Sequence, residues 1–180
     1  RQRQMCIRDR MGSVRPNVFK KPERIADSWG RIQIEPFDLK PEDIRMKRLD
    51  FIPFSKAGYN IQEADIIVAG GRGMGSKENF DKLYELADAI GGVVGATRPL
   101  VEKGWIELPY QVGQTGKTVS PKLYLAFGIS GAIQHVSGIS GADTIVAINN
   151  DPNAEIFQHA NYGIVGDCME VLNDMLAHLK

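Results

Sequence analysis

Beyond residue 57 the chain alternates between two hydrophobic rhythms. Short unbroken apolar runs, ADIIVAG (64–70), GVVGAT (92–97), KLYLAFG (122–128), DTIVAIN (143–149) and YGIVGD (162–167), have the length and β-branched content of strands buried on both faces. Between the first two, Phe80, Leu83, Ala87 and Ile90 recur at helical spacing, with Ser76 placed as N-cap and Gly91-Gly92 as the stop. A short helix is predicted from Pro99 to Gly104, another starts within SGAIQHVSG (130–138), and a last one turns Met169, Leu172, Met175, Leu176 and Leu179 inward. Strands alternating with helices predict an α/β protein with one parallel sheet of about five strands, helices on both faces and 123–127 in the sheet interior.

The rhythm before residue 55 is different. Pro16, Pro22, Pro36, Pro41 and Pro53 interrupt any long helix. RIQIEPF (31–37) and MKRLDFIPF (46–54) alternate polar and apolar residues like strands of an exposed or mixed sheet. The stretch is too short and polar for a core of its own, so Phe19, Ile32 and Phe51 are expected to be buried only against a partner or a further domain. RQRQMCIRDR is Arg-rich without an apolar stretch, which excludes a secretory signal and reads as foreign to the fold. The expected division is 1–12, a leader; 13–55, an arm; and 56–180, a ligand-binding domain.

Composition adds little beyond this. Of 180 residues, 43% are hydrophobic and 24% charged, with zero net charge, which points to neither nucleic acid nor an anionic membrane as the main partner. No apolar run approaches a membrane span. Cys6 and Cys168 stand without metal-ligand spacing, as expected in a reducing compartment.

In a parallel sheet, ligands bind beyond the carboxyl ends of the strands. Those ends read GGRGMGS, GATR, GISGAIQH, NNDPN and GD, and the loop YQVGQTGKT adds glycines and hydroxyls. Together they predict one glycine-rich rim, with a helix N-terminus at Ser130 suited to a phosphate. Single motifs are weaker. GGRGMG nearly matches GxGxxG, but Ser76 replaces the last glycine, and a plain tight turn is the alternative. GQTGKT ends like a phosphate-binding loop, yet Gln111 stands where its first glycine belongs and Pro121 with a strand follows, which excludes a nucleoside triphosphatase. Arg72 and Arg98, directly after strand ends, call for an anion. His135 is either a ligand contact or a satisfied core histidine; His159 and His178 are core or solvent residues.

KLYLAFGISGAIQH through ADTIVAIN, with GGRG, GATRP, QVGQTGKTVSP and YGIVGD in order and spacing, resembles the alpha subunit of electron transfer flavoprotein across 61–180. SVRPNVF (13–19) resembles the end of that family's first domain, and 20–54 its interdomain connection. The resemblance implies a three-layer Rossmann-like domain holding FAD. It implies an electron carrier rather than an enzyme, heterodimeric with a beta subunit. Electrons would come from dehydrogenases, such as the acyl-CoA dehydrogenases of fatty acid β-oxidation, and pass to a quinone-linked or other acceptor. The compartment would be bacterial cytoplasm or mitochondrial matrix. By matching motif, Arg72 lies near the cofactor, Thr97 at pyrophosphate and Arg98 at the flavin ring. Val112, Gly113, Gln114 and Thr115 follow the ring edge. Ser130, Gly131, Ala132, Ile133, Gln134 and His135 wrap pyrophosphate and ring, and Asn149 and Asp167 hold the adenosine half. His135 is expected to donate to the ring where reduction places negative charge. The rival reading is an NAD(P)-binding enzyme domain with a similar sheet; the lack of an acidic ribose ligand after the first βα unit counts against it.

Overall fold

The computed structural model describes residues 60–179 continuously, and before them 23, 25–26, 30–34, 36, 40, 42, 44 and 46–50. Two compact units are present. In the smaller one, within Lys20–Gly58, the described residues 31–34, 36 and 46–50 form no strand, contrary to the pattern expectation. Ile32, Ile34, Met46 and Leu49 are exposed there, and alternation without a neighbouring ladder builds no sheet. Phe19 and Phe51 lie outside the described residues.

The larger unit is built on five strands: β1 (Ile66–Gly70), β2 (Val93–Ala96), β3 (Leu123–Phe127), β4 (Thr144–Asn149) and β5 (Tyr162–Val165). All pairings are parallel, in the order β2-β1-β3-β4-β5. β3 lies in the interior as its apolar run predicted, in register Ile66 with Leu123 on one side and Leu123 with Thr144 on the other.

Strand alternation divides the core in two. Val68, Val94, Leu125, Phe127 and Ile148 face one side, and Ile67, Ala69, Tyr124, Ala126 and Ala147 the other. The first side is covered by α1 (Lys77–Ile90), α2 (Arg98–Glu102) and α4 (Cys168–Leu179), through Phe80, Leu83, Leu100, Leu172 and Leu176. Helix α1 has the expected ends: the Ser76 hydroxyl accepts from the Asn79 N–H, and Gly91 takes the left-handed conformation at φ 68°. The second side departs from the expectation of full helices. It carries a single helical turn, α3 (Ile133–Val136), and 3-10 turns at Ile61–Glu63 and Glu155–Gln158.

Two further expectations fail at the sheet edge and the chain end. All four residues of β5 are exposed, whereas β2 at the opposite edge is largely buried; the apolar run of β5 carries no sign of how little covers it. Leu179 is 49% exposed, in the last turn of α4. Among the described residues no helix is long and apolar enough to cross a membrane, and no cluster of metal-ligating side chains is present.

Candidate functional site

The strand order reverses between β1 and β3, whose following connections leave in opposite directions. Such a switch point leaves a crevice past the strand ends. Here the two end turns interlock at the crevice floor. The Gly71 N–H donates to the Phe127 carbonyl at 2.8 Å, and the Gly73 N–H to that of Gly128 at 2.9 Å. A Cβ at Gly71 would run into the Gly128 carbonyl oxygen, and one at Gly73 would stand 2.6 Å from the Gly128 Cα. Gly128 itself has φ 61°, where a side chain is strained. The glycines therefore let two backbone turns touch and leave room above them.

That room is a cavity of about 720 Å³, bordered by the ends of β1 to β4 and the loop after the 3-10 turn Leu108–Tyr110. Its size is that of a site for a drug- or cofactor-sized molecule. Charge is graded across it. Arg72 and Arg98 come from the ends of β1 and β2, while Asp151 and Glu155 come from the segment after β4, on the other flank of the sheet. Among the described residues, Arg72 pairs with no carboxylate. Arg98 does meet an anion, though an internal one: its Nε donates to Glu102 Oε1 at 2.8 Å in an exposed pair one helical turn apart. Thr97 stands at the N-cap of α2, where its hydroxyl makes no capping bond and remains available to the cleft.

The loop wall is fixed from both sides. The Gln114 N–H donates to the Gln134 carbonyl at 2.7 Å, and the Gln111 side-chain amide to Thr115 Oγ1 at 3.0 Å. From the sheet side comes His135, 6% exposed. Its Nδ1 lies 3.0 Å from the Val112 carbonyl, which can only accept, so Nδ1 carries the proton. Its Nε2 lies 3.0 Å from the Tyr124 hydroxyl, which then donates. Burial pushes the His135 pKa down to about 4, and burial pushes that of Tyr124 up, so both are neutral at pH 7. Both nitrogens are engaged within the protein, and the imidazole braces Val112 against β3.

Most of the residues expected at the site do border the cavity: Arg72, Thr97, Arg98, Val112, Gly113, Gln114, Thr115, Ser130, Ala132, Gln134, His135 and Asn149. Gly131, Ile133 and Asp167 do not. A Cβ at Gly131 would strike the Ile156 backbone N, so this glycine serves the approach of the 3-10 turn Glu155–Gln158. Ile133 is 75% exposed on α3. Asp167 caps α4, its Oδ1 accepting from the N–H groups of Met169 at 2.7 Å and Glu170 at 3.1 Å. Asn149 ties β4 to the turn after β3, donating to the Ile129 carbonyl and accepting from the Asp151 N–H, each at 2.9 Å. The helix expected at Ser130 starts at Ile133 and lasts one turn, too short for an appreciable dipole. Pro99 and Glu155 were not anticipated; Gln111 lay within the loop YQVGQTGKT, and Asp151 and Asn153 within the NNDPN strand end, which were usable signals.

Residues 60–140 match the family described as electron transfer flavoprotein FAD-binding domain. The chain is 50% identical over 173 residues to the electron transfer flavoprotein subunit alpha of Thermoanaerobacterium thermosaccharolyticum, covering 96% of this chain and 52% of that protein. It is 50% identical over 167 residues to the subunit of the same name from Megasphaera elsdenii, covering 92% and 49%. It is 54% identical over 166 residues to Protein FixB of Azotobacter vinelandii, covering 92% and 46%. The chain thus spans about half the length of the curated relatives it matches.

Proposed function

We propose, from the match of residues 60–140 to the family described as electron transfer flavoprotein FAD-binding domain, that 56–180 hold FAD in the switch-point cleft as the cofactor domain of an electron-carrying alpha subunit. The observation that carries the reading is the single cleft joining Arg72, Thr97, Thr115 and Ser130 from four different segments of the chain. FAD, when bound, takes up and releases electrons one or two at a time. Everything else is the work of the chain's own groups.

Anionic phosphate oxygens are suited by the guanidinium groups of Arg72 and Arg98 and by the hydroxyls of Thr97 and Ser130. Ribose hydroxyls, which donate, are suited by the carboxylates of Asp151 and Glu155 at the other flank. This polarity would place the adenosine half towards β4 and the flavin towards the loop 111–115. Asn149 would act there by shaping the turn, since both ends of its amide are already bonded. His135 keeps the loop wall in place with a neutral ring, so its part is positional. The Gln111–Thr115 pair supplies a polar edge for the ring.

The carrier function extends the reading to a heterodimer with a beta subunit. Its electrons would come from dehydrogenases, with acyl-CoA dehydrogenases as the first candidates, and leave to a quinone-linked or other acceptor. The test is direct. The purified chain, alone and co-expressed with its beta subunit, should be yellow and release FAD on heat denaturation. A colourless protein that takes up no added FAD under either condition would refute the reading. If FAD binds but no dehydrogenase reduces it, the carrier role fails while the cofactor site stands.

A further inference from the structure

Zero net charge conceals an uneven distribution along the chain. From Leu123 to Leu179 the sequence holds six carboxylates, Asp143, Asp151, Glu155, Asp167, Glu170 and Asp174, and no lysine or arginine. Strands β3, β4 and β5 all lie in this stretch, so that side of the sheet has carboxylates without cations to offset them. The cations of the cleft, Arg72 and Arg98, come from the ends of β1 and β2.

Two of the carboxylate residues border the cleft, and the chain holds both in place. The Asp151 N–H donates to Asn149 Oδ1, and Asp151 Oδ1 accepts from the Asn153 N–H, each at 2.9 Å. Glu155 opens the 3-10 turn that follows. The next N–H, of Ile156, donates to the Ser130 carbonyl at 3.0 Å, and Gly131 packs so closely on the backbone of Glu155 and Ile156 that a Cβ there would collide with it. Among the described residues, neither carboxylate pairs with a cation.

A carboxylate accepts from a free ribose hydroxyl but repels a phosphate on the same oxygen. Many cellular molecules contain an ADP group. FAD and NAD leave its ribose free, whereas NADP and coenzyme A carry a phosphate on its 2′ or 3′ oxygen. Contacts to the shared part cannot separate the two classes, so a repulsive element must. We propose that Asp151 and Glu155 are specificity-determining residues, which admit an ADP group with a free ribose and turn away one phosphorylated at the 2′ or 3′ oxygen. The inference rests on the FAD reading and adds to it the class of ADP-containing molecules that the cleft excludes.

The experiment is calorimetric titration of the full flavin-free chain with FAD, ADP, 2′-phospho-ADP and 3′-phospho-ADP. The wild type should bind ADP at least about tenfold more tightly than either phosphorylated form, the worth of a dianion a few ångströms from one hydrated carboxylate. The paired variant Asp151→Asn/Glu155→Gln keeps acceptors at both positions and removes both charges. Its affinity for the phosphorylated forms should rise while that for FAD does not. Raising salt from about 20 to about 500 mM should narrow the wild-type gap. A gap that ignores salt and persists in the paired variant is steric and would overturn the proposal. Equal affinities in the wild type would overturn it too. So would a chain that binds FAD and not ADP, because the ADP group would then lie away from these carboxylates. A chain that discriminates among the ADP probes but takes up no FAD keeps the proposal and sinks the flavin reading; one that binds none of the four sinks both.

Discussion

Acid should loosen this fold through His135 before the bulk of its carboxylates titrate. The ring is buried, and burial lowers its pKa from 6.5 to about 4. Above pH 6.5 the folded and unfolded chains both hold it neutral, and its bonds to Val112 and Tyr124 contribute fully. Between 6.5 and 4 the unfolded chain takes up a proton that the folded one refuses. Stability then falls as pH falls, by up to about 1.4 kcal/mol per unit and about 3 kcal/mol over the window. Below pH 4 this group adds no further slope. Tyr124, the titratable group against the ring, is raised by its own burial and stays protonated throughout. The assay is urea unfolding of the full chain between pH 7 and 5, compared with His135→Gln. Gln cannot titrate; its lost bonds add a constant offset of about 1–3 kcal/mol that does not alter a slope. Subtracting one curve from the other cancels every group the two proteins share. The wild type should lose about 2 kcal/mol more than the variant between pH 6.5 and 5. Parallel curves would refute the buried neutral imidazole, and with it the brace.

Four other expectations follow from the same contacts. Tyr124→Phe leaves Nε2 of a buried ring without its donor and should lower the unfolding free energy by about 1–3 kcal/mol, read from the urea midpoint. Asp167→Ala removes the α4 cap at a cost of about 1 kcal/mol, or roughly 3 °C in Tm, and should leave FAD affinity near wild type because the carboxylate does not border the cleft. Gly128→Ala puts a side chain at φ 61° and 2.7 Å from the Gly73 backbone, so soluble yield and FAD uptake should both collapse. Arg98→Ala breaks only an exposed pair, so thermal stability should shift by less than about 1 kcal/mol while FAD affinity drops and loses part of its salt dependence.

Local rules determined a large share of this molecule. The run LYLAF must be a strand buried on both faces, and Ser76 and Gly91 bound a helix, because propensity, periodicity and capping act within about four residues along the chain. Glycine at the strand ends likewise announced where backbone would come close to backbone. Tertiary structure decided what those rules do not reach. YGIVGD reads as a core strand, yet β5 is exposed while β2, an edge strand too, is largely buried, since what covers a strand is a property of its neighbours. SGAIQHVSG reads as a helix start, yet only one turn forms, between Gly131 packed on Ile156 and Gly138 packed on Gly113. His135 could by its type serve either a ligand or the core, and only the fold brings Tyr124 and Val112 to its two nitrogens. Asp167, a ligand contact by its motif, is also placed by the fold at the start of α4, where its Oδ1 caps the helix. A side chain's type fixes which bonds it can make; which of them it does make depends on groups that only the folded chain brings within 3 Å.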